Sequence, residues 1–237
     1  MEIRKLAGEI RKLAGLPVVS QMMFSIRYPY ERQLLIWLAR QSRNFVDVGA
    51  FYGWYSGCVL SANPNISVVA FEPNLDSYKV LRKAIGSKAT IFRMVVGDFD
   101  GRTAFYEASR PEVSSLDRNW FTSYSNVHAK SFKEVVVQSV ELDSLFDFID
   151  ILKIDTEGSE YRVLCGAREL IESGRIKYIL LERQENQRRI LHTLTNYYDM
   201  FVINKSLRRF VENEIDSTSL KDMMREPNLL LVRKCRN

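Results

Sequence analysis

The sequence predicts an α/β fold, a mainly parallel sheet with helices on both faces. Three observations predict it. From Asn44 onward, short β-rich segments alternate with helix-like ones, the pattern of a parallel sheet joined by crossovers. No Gly-, Ser- or Pro-rich linker interrupts that alternation, so 237 residues read as one sheet domain with an N-terminal extension. Nearly every expected strand ends in a carboxylate, and the carboxyl ends of the strands are where open α/β sheets bind ligands.

The chain starts with a tandem repeat, EIRKLAG at residues 2–8 and again at 9–15. Ile3, Leu6, Ile10 and Leu13 fall on one helical stripe, with Arg4, Lys5, Arg11 and Lys12 beside or opposite it. Two heptads are too few to define a coiled coil. The repeat reads first as a short helix packed on its own domain. Self-association, or peripheral membrane contact through residues 2–16, are the alternatives. Pro17 to Tyr30 reads as connector, and residues 31–41 as a helix with Leu34, Leu35, Trp37 and Leu38 on its apolar face. The helical extension is taken as residues 1–43 and the sheet domain as 44–237.

The regular pattern begins with Phe45-Val46-Asp47-Val48, a short apolar strand ending at Gly49-Ala50. A helix over 53–62 closes at Asn63-Pro64-Asn65. A strand over 67–71 ends at Glu72-Pro73, a helix over 75–85 stops at Gly86, and a third strand over 90–96 ends at Gly97-Asp98. Segments 103–107 and 135–141 read as an inserted β pair. The polar, aromatic stretch 111–130 between them has no clear period, and a long loop of that kind is usually functional. Strand 149–154, helix 159–173, strand 177–181, helix 185–197, strand 200–204 and strand 229–232 follow.

Composition narrows the function classes. Lys plus Arg exceed Asp plus Glu by 34 − 29, or +5, spread along the chain, which does not favour a nucleic-acid partner. Cys58, Cys165 and Cys235 are too far apart for a disulfide framework or a zinc signature, so a reducing compartment is expected. With only 2 His, an all-protein His/Cys metal site is not expected. No apolar run approaches the roughly 18 residues of a membrane span. The charged start, Glu2 to Lys5, lacks a signal-peptide apolar region, so the expected location is cytoplasmic.

The strand ends carry the chemistry. In Asp47-Val48-Gly49-Ala50-Phe51-Tyr52-Gly53, glycines 49 and 53 permit positive φ and close backbone approach to a ligand. This is not the dinucleotide G-x-G-x-x-G, and there is no P-loop. Glu72 lies 72 − 53, or 19, residues past the second glycine, near the spacing of about 20 expected for a carboxylate accepting from a ribose diol. Together they favour an adenosine-type ligand.

Phe45-Val46-Asp47-Val48-Gly49-Ala50-x-x-Gly53-Trp54-Tyr55-Ser56 resembles the first motif of the FkbM-type methyltransferases. Phe71-Glu72-Pro73-Asn74 resembles their second-strand motif, and Ser114-Ser115-Leu116 and Glu141-Leu142-Asp143 match weaker features. Leu152-Lys153-Ile154-Asp155-Thr156-Glu157-Gly158-Ser159-Glu160, followed by Val163-Leu164-x-Gly166-Ala167, is the most diagnostic match. Phe51-Tyr52 departs from the family, which more often carries a small polar and an aliphatic residue there. The resemblance implies a Rossmann-like class I methyltransferase with a seven-stranded sheet, S-adenosylmethionine as methyl donor, and usually a hydroxyl as acceptor. It implies that Asp47, Gly49, Ala50, Tyr52 and Gly53 enclose the methionine end of the cofactor. Glu72, beside Pro73 and Asn74, would take the ribose, and Asp98, after Gly97, would meet the adenine; Gly97-Asp98-Phe99-Asp100-Gly101 reads equally well as a turn.

A hydroxyl acceptor must lose a proton, and the bases expected near the fourth strand end are Asp155 and Glu157, then Glu182. Lys153, two residues before Asp155 and so on the same strand face, needs a buried partner and can position them. His128, in the middle loop, is the one loop imidazole available. Mg²⁺ among the carboxylates is an alternative not favoured by any dedicated ligand spacing. Exocyclic base nitrogen chemistry calls for an Asp/Asn-Pro-Pro-aromatic motif, which is absent. The expected acceptor is a hydroxyl of a sugar, glycolipid or secondary metabolite. An NAD(P)-dependent oxidoreductase and a non-catalytic cofactor-binding protein remain as the other two readings.

Overall fold

The structure, a computed structural model, describes residues 29–118, 132–182, 188–203, 208–210 and 228–234. Helix α1 is Pro29–Arg40, and strand β1, Asn44–Val48, follows it. Next come α2 (Trp54–Ala62), β2 (Ser67–Phe71), α3 (Leu75–Ile85), β3 (Thr90–Phe92), β4 (Met94–Val96) and β5 (Gly101–Ala108). A 3₁₀ turn at Pro111–Val113 precedes β6 (Phe132–Val140) and β7 (Ile149–Ile154). The remaining elements are α4 (Glu160–Cys165), α5 (Arg168–Glu172), β8 (Ile176–Glu182), α6 (Arg188–Leu194), β9 (Tyr198–Val202), β10 (Arg208–Phe210) and β11 (Asn228–Arg233).

The main sheet has the order β10-β9-β11-β8-β7-β1-β2-β3. From β3 through β8 every pairing is parallel, while β11 runs antiparallel to both of its neighbours. The seven expected strands are there, and the three-residue β10 adds an eighth at the edge. All six residues of β7 are buried, as a central parallel strand covered on both faces requires. The two faces carry separate cores. Val46, Val48, Leu152 and Ile154 pack against Val163, Leu164 and Leu170 of α4 and α5. Phe45, Ile151 and Leu180 pack against Leu35 and Leu38 of α1, Val59 of α2 and Leu81 of α3.

Several elements differ from the sequence reading, each for a physical reason. The third strand splits at Arg93: β3 pairs with β2 in the main sheet, while β4 leaves to pair with β6 in a second sheet of order β4-β6-β5. The inserted β pair is thus a three-stranded sheet, its β5–β6 ladder running from Gly101↔Ser139 to Ala108↔Phe132. The helix expected over 159–173 breaks into α4 and α5 because Gly166 packs onto a neighbouring turn, where a Cβ would collide with the Gly97 carbonyl oxygen. In α1 the buried stripe is Glu31, Leu35, Leu38 and Ala39, at helical spacings 0, 4, 7 and 8, so Trp37 points outward and is 58% exposed. The strand expected at 200–204 starts two residues earlier, set by the register Tyr198↔Arg233 with β11. Helix α6 occupies the described part of 185–197. The heptad repeat, His128, Trp120, Phe121, Tyr124 and Cys235 lie outside the described residues. Among the described residues no helix is long and apolar enough to cross a membrane.

Candidate active site

The register between the two central strands builds the centre of the site. Asp47 of β1 lies opposite Lys153 of β7, so the two side chains emerge together on the face covered by α2. Both are buried, at 0% and 3% exposure, so each charge needs the other. Lys153 Nζ donates to the Gly49 carbonyl oxygen at 2.8 Å and lies 3.4 Å from both Asp47 Oδ1 and Asp155 Oδ2. It also faces the Tyr55 ring at 4.9 Å. Burial works against the ammonium, but Asp155 and Asp47 outweigh it and hold Lys153 protonated, above its ordinary value. Ser56 Oγ donates to Asp47 Oδ2 at 2.6 Å, and Asp47 Oδ1 has no hydrogen-bond partner.

The turn after β1 is built for close approach. Gly49 has φ 75°, and a Cβ there would collide with the Asp155 carbonyl oxygen, so β1 and β7 meet only because position 49 is bare. Ala50 N–H and Gly49 N–H both donate to the Phe71 carbonyl at 3.0 Å, locking the turn to the end of β2. Gly53 has a second task. It has φ 82°, as expected, and its bare Cα also makes room for Leu81, whose Cδ1 would lie 2.7 Å from a Cβ, so it serves the packing of α3 as well. Phe51, at φ 49°, stacks its ring on Tyr52 at 3.7 Å. Burial pushes the half-buried Tyr52 phenol up, with Glu112, Asp76 and Glu72 adding to it.

Glu72 ends β2 with both oxygens engaged by backbone. Oε2 accepts from Phe51 N–H at 2.7 Å and Oε1 from Asn74 N–H at 2.8 Å, leaving each oxygen further acceptor capacity. Burial pushes its carboxyl up to about 7, against the two N–H donors that favour the charge. The Asn74 side chain caps α3 by accepting from Asp76 and Ser77 N–H, both at 3.0 Å, and the Pro73 carbonyl accepts from Arg93 Nε at 3.2 Å. Those two residues therefore build the turn that aims Glu72. Gly97 and Asp98 follow β4 into the second sheet: Gly97 N–H donates to Val140 O at 3.0 Å, and Asp98 pairs with Arg162 of α4 at 3.0 Å. The chain bends at Asp98, whose carboxylate is paired with the Arg162 cation.

The third part is the turn after β7. Glu157 has φ 54° and Gly158 φ 96°. Buried Glu160 holds that shape through Oε1, which accepts from Thr156 N–H at 2.7 Å, Thr156 Oγ1 at 3.1 Å and Gly158 N–H at 3.2 Å. Ser115 Oγ donates to the Glu157 carbonyl at 2.7 Å, and Ser114 Oγ accepts from Asn74 Nδ2 at 3.3 Å, so the Ser-Ser pair ties the second sheet to both acidic turns. One carboxylate oxygen each from Asp155, Glu157 and Glu182 lies within 4.8 Å of the other two. Burial, Asp155 and Glu160 push Glu157 well above the usual carboxylate range. Burial, Asp155 and Glu157 do the same to Glu182. Such a triad can share a proton or accept one, and three oxygens at this spacing can hold a hard divalent cation. Lys153 already supplies one positive charge at Asp155.

Asp47, Gly49, Glu72, Lys153, Asp155, Glu157 and Glu182 thus gather at the carboxyl ends of four adjacent parallel strands, β2, β1, β7 and β8. Sequence reasoning placed Glu160 and Ser115 inside family motifs without giving them a role, and passed over Glu31. The signal for Glu160 was present, an acid just after a Gly-Ser turn and opening a helix.

The chain matches the family model described as the methyltransferase FkbM domain over residues 47–213. It is also similar to solved structures. These include a TehB-like SAM-dependent methyltransferase from Corynebacterium glutamicum, 12% identical with a TM-score of 0.45, covering 89% of each chain. A methyltransferase from Geobacter sulfurreducens is 16% identical with a TM-score of 0.44, covering 95% of this chain and 96% of that one. An S-adenosylhomocysteine-bound methyltransferase from Podospora anserina is 10% identical with a TM-score of 0.40, covering 99% and 96%. No curated protein matches the chain. The site fits the family's cofactor: a buried Asp47 oxygen lacks a hydrogen bond, Gly49 leaves the turn bare, and Glu72 keeps acceptor capacity for a diol. The family displaces both the NAD(P) oxidoreductase and the non-catalytic reading. The chain belongs to the FkbM methyltransferase family and is an S-adenosylmethionine-dependent methyltransferase.

Proposed function

We propose that the acceptor is a hydroxyl group, on a sugar, glycolipid or secondary metabolite, and that the strand-end carboxylates take its proton. The observation that carries this reading is the close approach of Asp155, Glu157 and Glu182, with oxygens within 4.8 Å. When bound, S-adenosylmethionine supplies an electrophilic methyl group on a good leaving group, so the protein has only to bind, align and dehydrate. Asp47 and the turn around Gly49, Ala50 and Tyr52 would hold the amino-acid end of the cofactor, and Glu72 the ribose.

A carboxylate with an ordinary pKa is a weak base for a hydroxyl proton. Raising that pKa by burial and by neighbouring charge is how a fold makes one useful near neutral pH. Glu157 and Glu182 are both raised in this way. Lys153 holds Asp155 beside them and stays a fixed cation.

The test is a screen of polyhydroxylated acceptors with labelled S-adenosylmethionine, repeated with a chelator. Product methylated on oxygen, formed by the wild type and lost in Glu182→Gln and Asp155→Asn, supports the reading. Methylation on nitrogen or carbon, or full activity in both variants, contradicts it. Loss of activity in chelator, restored by Mg²⁺, would turn the triad into a metal site.

A further inference from the structure

Glu31 is a buried acid outside the strand-end cluster. It sits in the first turn of α1, is 4% exposed, and both of its oxygens are engaged. Tyr55 Oη of α2 donates to Oε1 at 2.9 Å, and Asn228 Nδ2 of β11 donates to Oε2 at 2.7 Å. Each partner leads into the site. The Tyr55 ring faces the Lys153 ammonium at 4.9 Å, and Asn228 is the register partner of Glu182.

We propose that Glu31 is a positioning residue for the methyl-transfer site, holding the Tyr55 ring against Lys153 and the start of β11 against Glu182. A buried carboxylate is costly, and a neutral side chain of similar shape would join α1, α2 and β11 with less penalty. What the charge adds is the strength of its hydrogen bonds. A phenol donating to a carboxylate is held more firmly than one donating to an amide, and its ring is more attractive to an ammonium. Lys153 in turn binds Asp47, Asp155 and the Gly49 carbonyl, the groups that shape the amino-acid end of the cofactor site. The inference rests on the cofactor assignment and is independent of the acceptor.

The charge on Glu31 can be switched. Burial pushes its carboxyl up to about 7; Asn228, Tyr55 and Lys153 pull it down, while Asp155 pushes it further up. At pH 6 Glu31 is mostly neutral and Glu31→Gln imitates it; at pH 8 it is mostly charged and the variant does not. The probe is S-adenosylhomocysteine, titrated calorimetrically at both pH values. The expected ratio of variant to wild-type Kd is near one at pH 6 and about fivefold at pH 8, the difference between a charged and a neutral hydrogen bond. Taking the ratio removes the titration of Glu72, Glu157 and Glu182, which is common to both proteins. A ratio that is equal at the two pH values overturns the proposal, because a purely structural contact has no reason to follow the charge. Tyr55→Phe keeps the ring and removes the hydroxyl, and is expected to match the loss at pH 8, with the double variant no worse than either single one. Losses that multiply overturn the proposal. If Glu31→Gln does not fold, wild-type affinity of Tyr55→Phe at pH 8 overturns it alone.

Discussion

Lys153 Nζ lies 3.4 Å from Asp47 Oδ1, and the parallel register of β7 with β1 puts them there. The pair lets a buried ammonium and a buried carboxylate sit at the centre of the sheet. Removing one charge strands the other. Lys153→Met, similar in length but apolar, is therefore expected to destabilise the fold by about 3–5 kcal/mol, the usual cost of breaking a buried pair from one side. Urea denaturation monitored by circular dichroism measures it, and a loss under about 1 kcal/mol would contradict the pair's structural weight.

Gly49→Ala is expected to act on the protein before it acts on any ligand. The added methyl would collide with the Asp155 carbonyl oxygen, and φ 75° disfavours it in any case. A drop of at least about 2 kcal/mol in stability is predicted, together with lost cofactor affinity. Gly53→Ala is strained by φ 82° and meets the flexible end of Leu81, so its larger effect is expected on stability, with a smaller one on S-adenosylhomocysteine affinity. Paired thermal melts and titrations separate the two.

Glu160 makes most of the side-chain bonds to the turn after β7. Glu160→Ala removes the acceptor shared by Thr156 and Gly158 N–H and releases the positive-φ turn at Glu157. The expected cost is about 2–4 kcal/mol. Proteolysis near 155–160, faster in the variant, would show that the turn has loosened.

Stability should also follow pH in a definite direction. Burial raises Glu31 and Glu72 from 4.5 to about 7 in the folded chain. Groups raised on folding bind more protons in the native state, so their contribution is fully present below about 4.5 and is lost as pH rises toward 7. Glu72→Gln is expected to flatten that slope, read from denaturation midpoints at pH 5, 6 and 7.5. An unchanged slope would mean that Glu72 is not raised.

Most of the fold was legible because parallel strands buried on both faces leave strong apolar signals, as in Ile149 to Ile154. The acidic strand ends were legible for the same reason, since each follows a recognisable strand. The break at Arg93 was not, because Thr90 to Val96 is one continuous β-rich segment and only its change of partner divides it. Glu31 was hidden for a different reason. It stands on the buried stripe of a helix whose apolar residues suffice to define the face, and its partners Tyr55 and Asn228 are 24 and 197 residues away. Asp98 read equally well as a turn or as a ligand group, and its Arg162 partner lies 64 residues on.

The most direct measurement is calorimetric titration of S-adenosylhomocysteine into wild type and Glu72→Ala at pH 8. The wild type is expected to bind and the variant to bind at least about tenfold more weakly, because a carboxylate–diol contact contributes about 1.5–3 kcal/mol. Equal affinity in the two proteins, or no binding by the wild type, would contradict the placement of the cofactor at the ends of β1 and β2.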